Sequence, residues 1–338
     1  MKQSRRQFIR STFPSTVGIC AGLGLMPDSL WAQTTPSKER FPIAVQAYSL
    51  GPLFFSGKLS VMNFPQMVRD DFGVTGAEHW NLTLAAHQND TTFLNELRQR
   101  AEDAGVTNTL MLVDLINLSD RSRGPSLVST EKEERKQAVI AHQLWMDVAK
   151  TIGCSALRVN LWGDGLSADE VTELSEDSLG QLLDYGSTMD VSILIENHGG
   201  FTSDAQWLVK LMQQINHPLL GTLPDFGTAN FCIERAPAKK GEFYSKTCLN
   251  QYDKYKGVAE MLPYAKGISA KAMQFDSNGE AVTTDFKRML DLIKASDFSG
   301  YIAIEYEGAM MRQFAGGDGY LDPKEGVLAT KALIEKYR

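Results

Sequence analysis

The chain has 338 residues, 43% of them hydrophobic, with 34 basic and 41 acidic side chains. This length and hydrophobic content allow one large domain with a sizeable core, and two small domains are the alternative organisation. An acidic chain without a basic stripe is a poor candidate for binding nucleic acid. The sequence contains no run of roughly 18 apolar residues, so no stable insertion into a membrane is expected.

The N-terminus has the parts of a twin-arginine export signal. Arg5 and Arg6 precede an apolar run over residues 17–26, and a small residue follows at Ala32. This order of basic, apolar and small residues is typical of such signals. An ordinary basic N-terminus is the alternative.

The expected organisation is a signal peptide at 1–32, a linker at 33–40 and one mature domain at 41–338. Removal of the signal would take away four basic side chains and one acidic one, which leaves 30 basic and 40 acidic side chains. The mature protein is then expected in the periplasm or outside the cell. The twin-arginine export machinery is its expected partner during secretion.

Eight apolar runs of strand length recur along the mature chain. They are IAVQAY (43–48), GVTGAEHW (73–80), TLMLVDL (109–115), SALRVNLW (155–162), VSILIE (191–196), LLGTLPD (219–225), GISAK (267–271) and YIAIE (301–305). Segments with helical periodicity lie between them at 92–104, 131–152, 176–189, 204–215 and 285–295. Alternating strands and helices predict a parallel sheet, and eight strands predict a single (β/α)8 TIM barrel. An open doubly wound sheet is the alternative, but no GxGxxG turn follows the first strand.

The longest connection follows the sixth predicted strand and spans residues 226–255. Its aromatic residues are Phe231, Phe243, Tyr244, Tyr252 and Tyr255. Long loops in compact folds are often functional, so we expect this one to cover the pocket. Cys232 and Cys248 within it could form a disulfide in an oxidising compartment, and buried free thiols are the alternative.

Three acidic residues stand at or near the ends of late strands: Glu196, Asp225 and Glu305. Because alternate residues of a strand share a face, all three are expected to point toward the barrel axis, together with Ser269 and Lys271 of the seventh strand. Carboxylates forced together raise one another's pKa unless a cation or a proton intervenes. A divalent metal ion would resolve this, and an oxygen-rich site favours Mn²⁺ or Mg²⁺ over zinc. Ordinary salt bridges at strand ends are the alternative.

Four segments carry a resemblance to a known family. IENHGG (195–200), LPDFGTANF (223–231), YAKGISAKAMQFD (264–276) and GYIAIEYEG (300–308) resemble the sugar phosphate isomerase/epimerase family, whose fold is a xylose-isomerase-like TIM barrel. The likeness extends over nearly all of the mature chain, but its specific motifs lie from residue 191 onward.

The resemblance implies a metal site and a pair of proton-transfer residues. Glu196 and Glu305 match the paired glutamates, which both bind the metal and move a proton beside a carbonyl, and Asp225 matches the metal-binding aspartate. The usual histidine ligand falls at Ser269, which removes a strong ligand, so the alternatives are weak metal binding, recruitment of His198 as a ligand, or no metal. Lys271 follows on the same face and could supply positive charge, or act as an acid or base if burial lowers its pKa.

Five further side chains are candidates for binding a substrate at this rim. Arg158 and Asn160 share a face of the fourth strand and could bind hydroxyl groups, with an internal ion pair as the alternative. Glu78 stands in the same relation on the second strand. His198 lies two residues after Glu196 and points to the same side. Trp162 could form an apolar wall for a sugar ring, or could simply be packed.

The function that the resemblance implies is an exported sugar isomerase or epimerase, with metal-assisted proton transfer. A lyase or dehydratase acting on an oxidised sugar or an inositol shares the proton abstraction and is one alternative. A non-catalytic periplasmic carbohydrate-binding protein is another. The sequence does not predict the substrate or the oligomeric state.

Overall fold

The computed structural model describes residues 40–338, apart from 118, 120, 121, 164, 238–244, 246, 316 and 317. The expected signal peptide and residues 33–39 of the linker lie outside the described residues. So do Phe243 and Tyr244 of the expected cover.

The described chain forms ten strands. They are β1 (Ile43–Gln46), β2 (Gly76–Trp80), β3 (Thr107–Leu112), β4 (Ala156–Val159), β5 (Ser192–Glu196), β6 (Leu220–Leu223), β7 (Cys232–Arg235), β8 (Cys248–Gln251), β9 (Ile268–Ala272) and β10 (Ile302–Tyr306). Eight of them overlap the eight predicted runs, one strand for each run, which confirms those runs. The other two, β7 and β8, lie in the long connection.

The eight predicted strands form one parallel sheet in the order β6-β5-β4-β3-β2-β1-β10-β9. Backbone hydrogen bonds then join the two outer strands. Ser269 N donates to Pro224 O at 2.9 Å, and Phe226 N donates to Ser269 O at 3.1 Å. The ring is closed by these bonds, and the predicted (β/α)8 barrel is confirmed.

Helices surround the strands. They are α1 (Gly51–Phe55), α2 (Phe64–Asp70), α3 (Asn81–Leu84), α4 (Thr91–Asp103), α5 (Lys132–Ile152), α6 (Ala168–Ser187), α7 (Ala205–Ile215), α8 (Lys254–Met261), α9 (Phe286–Ala295), α10 (Gly308–Ala315) and α11 (Pro323–Tyr337). All five predicted helices are present. The third begins at Ala168 rather than at 176, because Ser167 and Glu170 form a capping box that starts the helix earlier.

The barrel strands are buried on both faces, as expected for a sheet covered by helices. Ile193, Leu194 and Ile195 of β5 are all buried in one continuous hydrophobic core. Among the helices in the described part of the chain, none is long and apolar enough to cross a membrane.

The long connection is more regular than the sequence suggested. After a 3-10 turn at Thr228–Phe231, β7 and β8 pair as an antiparallel hairpin. These strands were missed because both are short and carry polar, exposed residues without an apolar alternation. Cys232 and Cys248 form a disulfide across the hairpin. Cys154 is a free, buried thiol.

Candidate active site

Five predicted site residues lie together at the C-terminal ends of neighbouring barrel strands. They are Glu196, Asp225, Ser269, Lys271 and Glu305, and all are at most 5% exposed. Glu305 of β10 is paired in register with Lys271 of β9. Glu196, Asp225 and Glu305 each offer an oxygen within 4.8 Å of the others. The rim of the barrel therefore holds a compact cluster of buried carboxyl groups.

The ammonium group of Lys271 lies in the middle of this cluster. Its Nζ is 3.1 Å from Glu305 Oε1, 3.2 Å from Asp225 Oδ2 and 3.5 Å from Glu307 Oε2. It also donates to Asn230 Oδ1 at 3.3 Å. Burial lowers the pKa of Lys271, but the surrounding acids raise it well above its usual value. Lys271 is therefore a permanent cation at neutral pH.

Glu305 is held in its ionised form. The hydroxyl of Ser269 donates to Glu305 Oε2, and Gln46 Nε2 donates to Ser269 Oγ at 3.2 Å. Burial raises the pKa of Glu305, but Lys271 and the hydrogen bonds from Asp225 and Ser269 lower it below its ordinary value overall. Glu305 is therefore a carboxylate at neutral pH.

Asp225 is fixed at both its backbone and its side chain. Asn197 Oδ1 accepts from Asp225 N at 2.7 Å, and Asn197 Nδ2 donates to Asp225 O at 3.2 Å. Gly227 N donates to Asp225 Oδ1 at 2.5 Å. A Cβ atom at Gly227 would lie 2.8 Å from both that oxygen and Lys271 Cδ, so only glycine fits there. Burial raises the pKa of Asp225 well above its usual value, with Lys271 opposing the rise.

Arg158 connects Glu196 to a second acidic residue, Asp114. Its Nε lies 3.0 Å from Glu196 Oε2, and its Nη1 lies 2.7 Å from Asp114 Oδ1. Asn160 Nδ2 and Trp80 Nε1 also donate to Asp114, at 2.9 and 2.8 Å. Burial raises the pKa of Glu196 to about 7, although Arg158 opposes the shift. The internal ion pair expected as an alternative for Arg158 is thus present, and binding of hydroxyl groups by Arg158 and Asn160 stays a prediction.

The other three predicted residues lie in different surroundings. Glu78 is buried inside the barrel, and burial raises its pKa to about 8. His198 is exposed to solvent at the rim, although surrounding protein atoms and the cations Lys271 and Arg158 lower its pKa. Trp162 is half-buried, with its ring beneath the guanidinium of Arg123 at 4.7 Å.

Several residues of the site were missed by the sequence analysis. They are Gln46, Asp114, Asn197, Asn230 and Glu307. Asp114 and Gln46 follow the same signal as the predicted residues, since both are polar and stand at or near the end of a barrel strand. Glu307 lies two residues after Glu305 and could have been found by the same parity. Asn197 follows β5 with the parity opposite to that of Glu196, and Asn230 lies in a 3-10 turn, so the alternation along a strand indicates neither of them.

Three buried polar atoms in the barrel interior and at its rim have no polar partner within the described protein. They are Glu78 Oε2, Asn160 Oδ1 and Asn230 Nδ2, whereas Glu196 Oε2 and Asp225 Oδ2, which accept no hydrogen bond, contact the cations Arg158 and Lys271. Buried polar groups are usually hydrogen-bonded, and exceptions call for an explanation. Their concentration at one place is typical of a site for a polar ligand with several hydroxyl groups.

The three carboxylates could hold a metal ion by number and spacing. Each of them already contacts a cation of the protein, however, because Lys271 contacts Asp225 and Glu305 and Arg158 contacts Glu196. The donor oxygens therefore fit a divalent ion. The positions of Lys271 and Arg158 do not, because these two cations already contact the same carboxyl groups.

The fold and the site together define a (β/α)8 barrel with a buried acidic cluster at the C-terminal ends of its strands. The sequence matches the family described as xylose isomerase-like TIM barrel over residues 70–332. The chain belongs to this family. No curated protein matches the sequence.

Solved structures share the fold at low sequence identity. The IolI protein with a bound zinc atom is 12% identical, with 88% of this chain and 99% of that chain covered and a TM-score of 0.62. The 3-keto-D-glucoside 4-epimerase YcjR from E. coli is also 12% identical, covering 88% and 100% of the two chains with a TM-score of 0.60. D-psicose 3-epimerase from Clostridium cellulolyticum H10, determined with D-tagatose, is 12% identical, with 88% of this chain and 99% of that chain covered and a TM-score of 0.64. At this identity the likeness establishes the fold alone.

Proposed function

We propose that the protein is a sugar isomerase or epimerase that moves a proton beside a carbonyl group, with Glu196 and Glu305 as the acid/base pair. The observation that carries this proposal is the geometry of the buried cluster, in which Glu196 and Glu305 offer oxygens within 4.8 Å of each other and Lys271 Nζ lies 3.1 Å from Glu305. The pKa of Glu196 is raised to about 7, whereas that of Glu305 is lowered. Paired groups whose environments separate their pKa values are typical of an acid and a base in one mechanism.

The proposed reaction starts with the carbon next to a keto group. One glutamate accepts the proton from this carbon, and the electron pair moves toward the carbonyl oxygen to give an enediolate. The other glutamate then donates its proton to the same carbon, which sets the new stereocentre of an epimer. In an isomerisation the proton goes to the former carbonyl carbon, and the neighbouring hydroxyl proton passes to the former carbonyl oxygen. The reaction is reversible, so Glu196 and Glu305 exchange their roles between the two directions.

The other residues would hold and polarise the sugar. Lys271 is a cation at neutral pH and would donate a hydrogen bond to the oxygen on which negative charge develops. Arg158, Asn160 and Glu78 would bind hydroxyl groups, with His198 at the exposed rim and Trp162 as an apolar wall. Mn²⁺ or Mg²⁺ are the candidates if a metal binds to Glu196, Asp225, Glu305 and Ser269. No step is assigned to a metal, because protein cations already contact these carboxylates.

The names of two proteins with the same fold support this assignment. One is described as a 3-keto-D-glucoside 4-epimerase and the other as a D-psicose 3-epimerase. A lyase or dehydratase acting on an oxidised sugar or an inositol is the second candidate. The observation that favours it is the ammonium of Lys271 beside Asp225 and Glu305, which could donate a hydrogen bond to a leaving hydroxyl group while the protonated glutamate of the pair supplies the proton.

We also propose that the protein is exported through the twin-arginine route and works in the periplasm or outside the cell. The order of residues in the first 32 positions supports this. The disulfide between Cys232 and Cys248 supports it independently, because such bonds persist mainly in oxidising compartments.

Proton exchange with solvent tests the proposed activity. The purified protein is incubated with a panel of keto sugars in D₂O, and deuterium incorporation beside the carbonyl is followed by NMR. We expect incorporation with at least one sugar, and a fall of about 100-fold or more in the conversion of that sugar to its epimer or isomer in Glu196→Gln and Glu305→Gln. Glu176→Gln, at an exposed acid of α6, is the control and should exchange as the unchanged protein does. Tight sugar binding without any exchange or elimination would instead indicate a non-catalytic carbohydrate-binding protein.

A further inference from the structure

We infer that the ammonium group of Lys271 is the resident cation of this site and that the reaction proceeds without a bound divalent metal ion. The part that concerns the reaction rests on the proposed function, whereas the part that concerns cation binding is independent of it. It follows from the contacts of each group that a metal would need.

Two of the three candidate ligands share Lys271. The residue lies on β9 in register with Glu305 on β10, so both side chains are fixed by paired strands inside the barrel. The ammonium is 3.1 Å from Glu305 and 3.2 Å from Asp225, which are contact distances for an ion pair. Lys271 is only 4% exposed, so it has no route by which its charge is solvated instead.

The third candidate ligand, Glu196, is paired with Arg158. The guanidinium Nε lies 3.0 Å from Glu196 Oε2, and the same guanidinium is anchored on Asp114 at 2.7 Å. Arg158 belongs to β4, which is paired with β5, so this contact too is fixed by the barrel strands. All three carboxylates therefore contact a cation of the protein.

The fourth position offers a hydroxyl group that is already in use. Ser269 Oγ donates its single hydrogen to Glu305 and accepts a hydrogen bond from Gln46 Nε2 at 3.2 Å. A serine hydroxyl has one donor and two acceptor positions, so one lone pair remains. A neutral hydroxyl with one lone pair is a weak substitute for an imidazole ligand.

Charge repulsion opposes the addition of a metal to this arrangement. A divalent ion at about 2.1 Å from the oxygens of Asp225 and Glu305 would lie within roughly 5 Å of Lys271 Nζ. A double and a single positive charge repel strongly at this separation in a buried site. The metal and the lysine ammonium are thus alternatives at the same acidic cluster.

The lysine can supply the charge that the proposed reaction requires. When the bond between carbon and hydrogen breaks, the proton passes to a glutamate and the electron pair forms the carbon–carbon double bond of the enediolate. Negative charge then develops on the former carbonyl oxygen, to which the ammonium donates a hydrogen bond. The second glutamate then donates its own proton to the carbon and restores the neutral keto sugar, while the first keeps the proton that it accepted, so no oxidant or reductant is consumed.

Metal content and manganese binding test the inference. We expect the purified protein to contain substoichiometric metal by elemental analysis and to keep its proton exchange in excess EDTA. Titration with Mn²⁺, followed by electron paramagnetic resonance, should show weak binding. In Lys271→Met, Asp225 and Glu305 lose their shared cation, so Mn²⁺ should bind at least about tenfold more tightly. Lys271→Arg keeps the charge and should bind Mn²⁺ as weakly as the unchanged protein.

Stoichiometric metal in the purified protein, with loss of exchange on its removal, would overturn the inference. Equal Mn²⁺ affinity in Lys271→Met and the unchanged protein would also overturn it. These measurements separate the inference from the proposed function. If no sugar is turned over, the proposed function fails, while the metal content and the manganese titrations still decide whether Lys271 is the resident cation.

Discussion

The side-chain amide of Asn197 is hydrogen-bonded to both backbone polar groups of Asp225, accepting from its N–H at 2.7 Å and donating to its carbonyl at 3.2 Å. Asn197 directly follows Glu196 at the end of β5, whereas Asp225 follows the end of β6. The pair therefore ties two strand ends together and sets the distance between two carboxyl groups of the site.

Replacement of Asn197 by alanine should loosen this connection. The buried N–H and carbonyl of Asp225 lose their partners, which costs about 1–3 kcal/mol in the free energy of unfolding. Because Asn197 acts only through Asp225, we expect kcat for the best keto sugar to fall more than KM rises. Urea unfolding and steady-state kinetics check both effects. Asn250→Ala, at an exposed position of the hairpin, is the control, and equal results for the two variants would contradict the positioning role.

Arg158 should be essential for the stability of the rim. Its replacement by methionine leaves the buried Glu196 and the half-buried Asp114 without their shared cation, and loss of one partner of a buried ion pair typically costs about 3–5 kcal/mol. Urea unfolding at pH 7 measures this loss. In Arg98→Met the lost ion pair with Glu102 is exposed, so the loss should be at most about 1 kcal/mol. A small effect at Arg158 would mean that the two acids are solvated or protonated without it.

The pKa of Glu78 predicts a pH-dependent stability. It is raised from an ordinary 4.5 to about 8 by burial, so between these values the unfolded chain has released the proton that the folded chain keeps. Stability should therefore fall as pH rises from 4.5 to 8. Glu78→Gln removes the titrating group. Its free energy of unfolding should therefore exceed that of the unchanged protein by an amount that grows from near zero at pH 4.5 to, at most, about 4 kcal/mol at pH 8.

Unfolding curves at pH 4.5, 6 and 8 would measure the effect of Glu78. Glu176→Gln at an exposed acid serves as the matched control and should show no such trend. A gain in Glu78→Gln that is the same at every pH would contradict a raised pKa for this group.

The disulfide should stabilise the hairpin of β7 and β8. Cys232 and Cys248 are separated by 16 positions, and closing a loop of this size contributes about 3 kcal/mol in the chain-entropy account. We expect a reducing agent to lower the unfolding midpoint of the unchanged protein. The double variant Cys232→Ser/Cys248→Ser should have the lowered midpoint already and should not respond to the reducing agent. A response in the double variant would show that the effect has another origin.

Much of the fold could be predicted because local patterns and global architecture agree. The eight apolar runs and the helical segments between them determine the barrel, and the alternation along a strand places Glu196, Lys271 and Glu305 toward one axis. The same rule could have added Asp114 and Glu307, had it been applied to every strand end.

Other features depend on contacts between distant parts of the chain. The pairing of β7 with β8 could not be predicted, because neither strand has an alternation of apolar and polar residues. The contacts of Asn230 with Lys271 and of Asn197 with Asp225 depend on loop conformations. Trp162 was expected at the end of the fourth predicted strand, as an apolar wall or a packed residue, but its contact with Arg123 could not be predicted.

Glu196 and Glu305 are proposed to act as two separate proton-transfer groups on one carbon. The most direct measurement follows solvent deuterium entering each of the two interconverting sugars in the Glu196→Gln and Glu305→Gln variants. The account predicts that neither variant interconverts the two sugars, and that each still exchanges the proton of a different one, through its remaining glutamate. Interconversion at the original rate in either variant would contradict it.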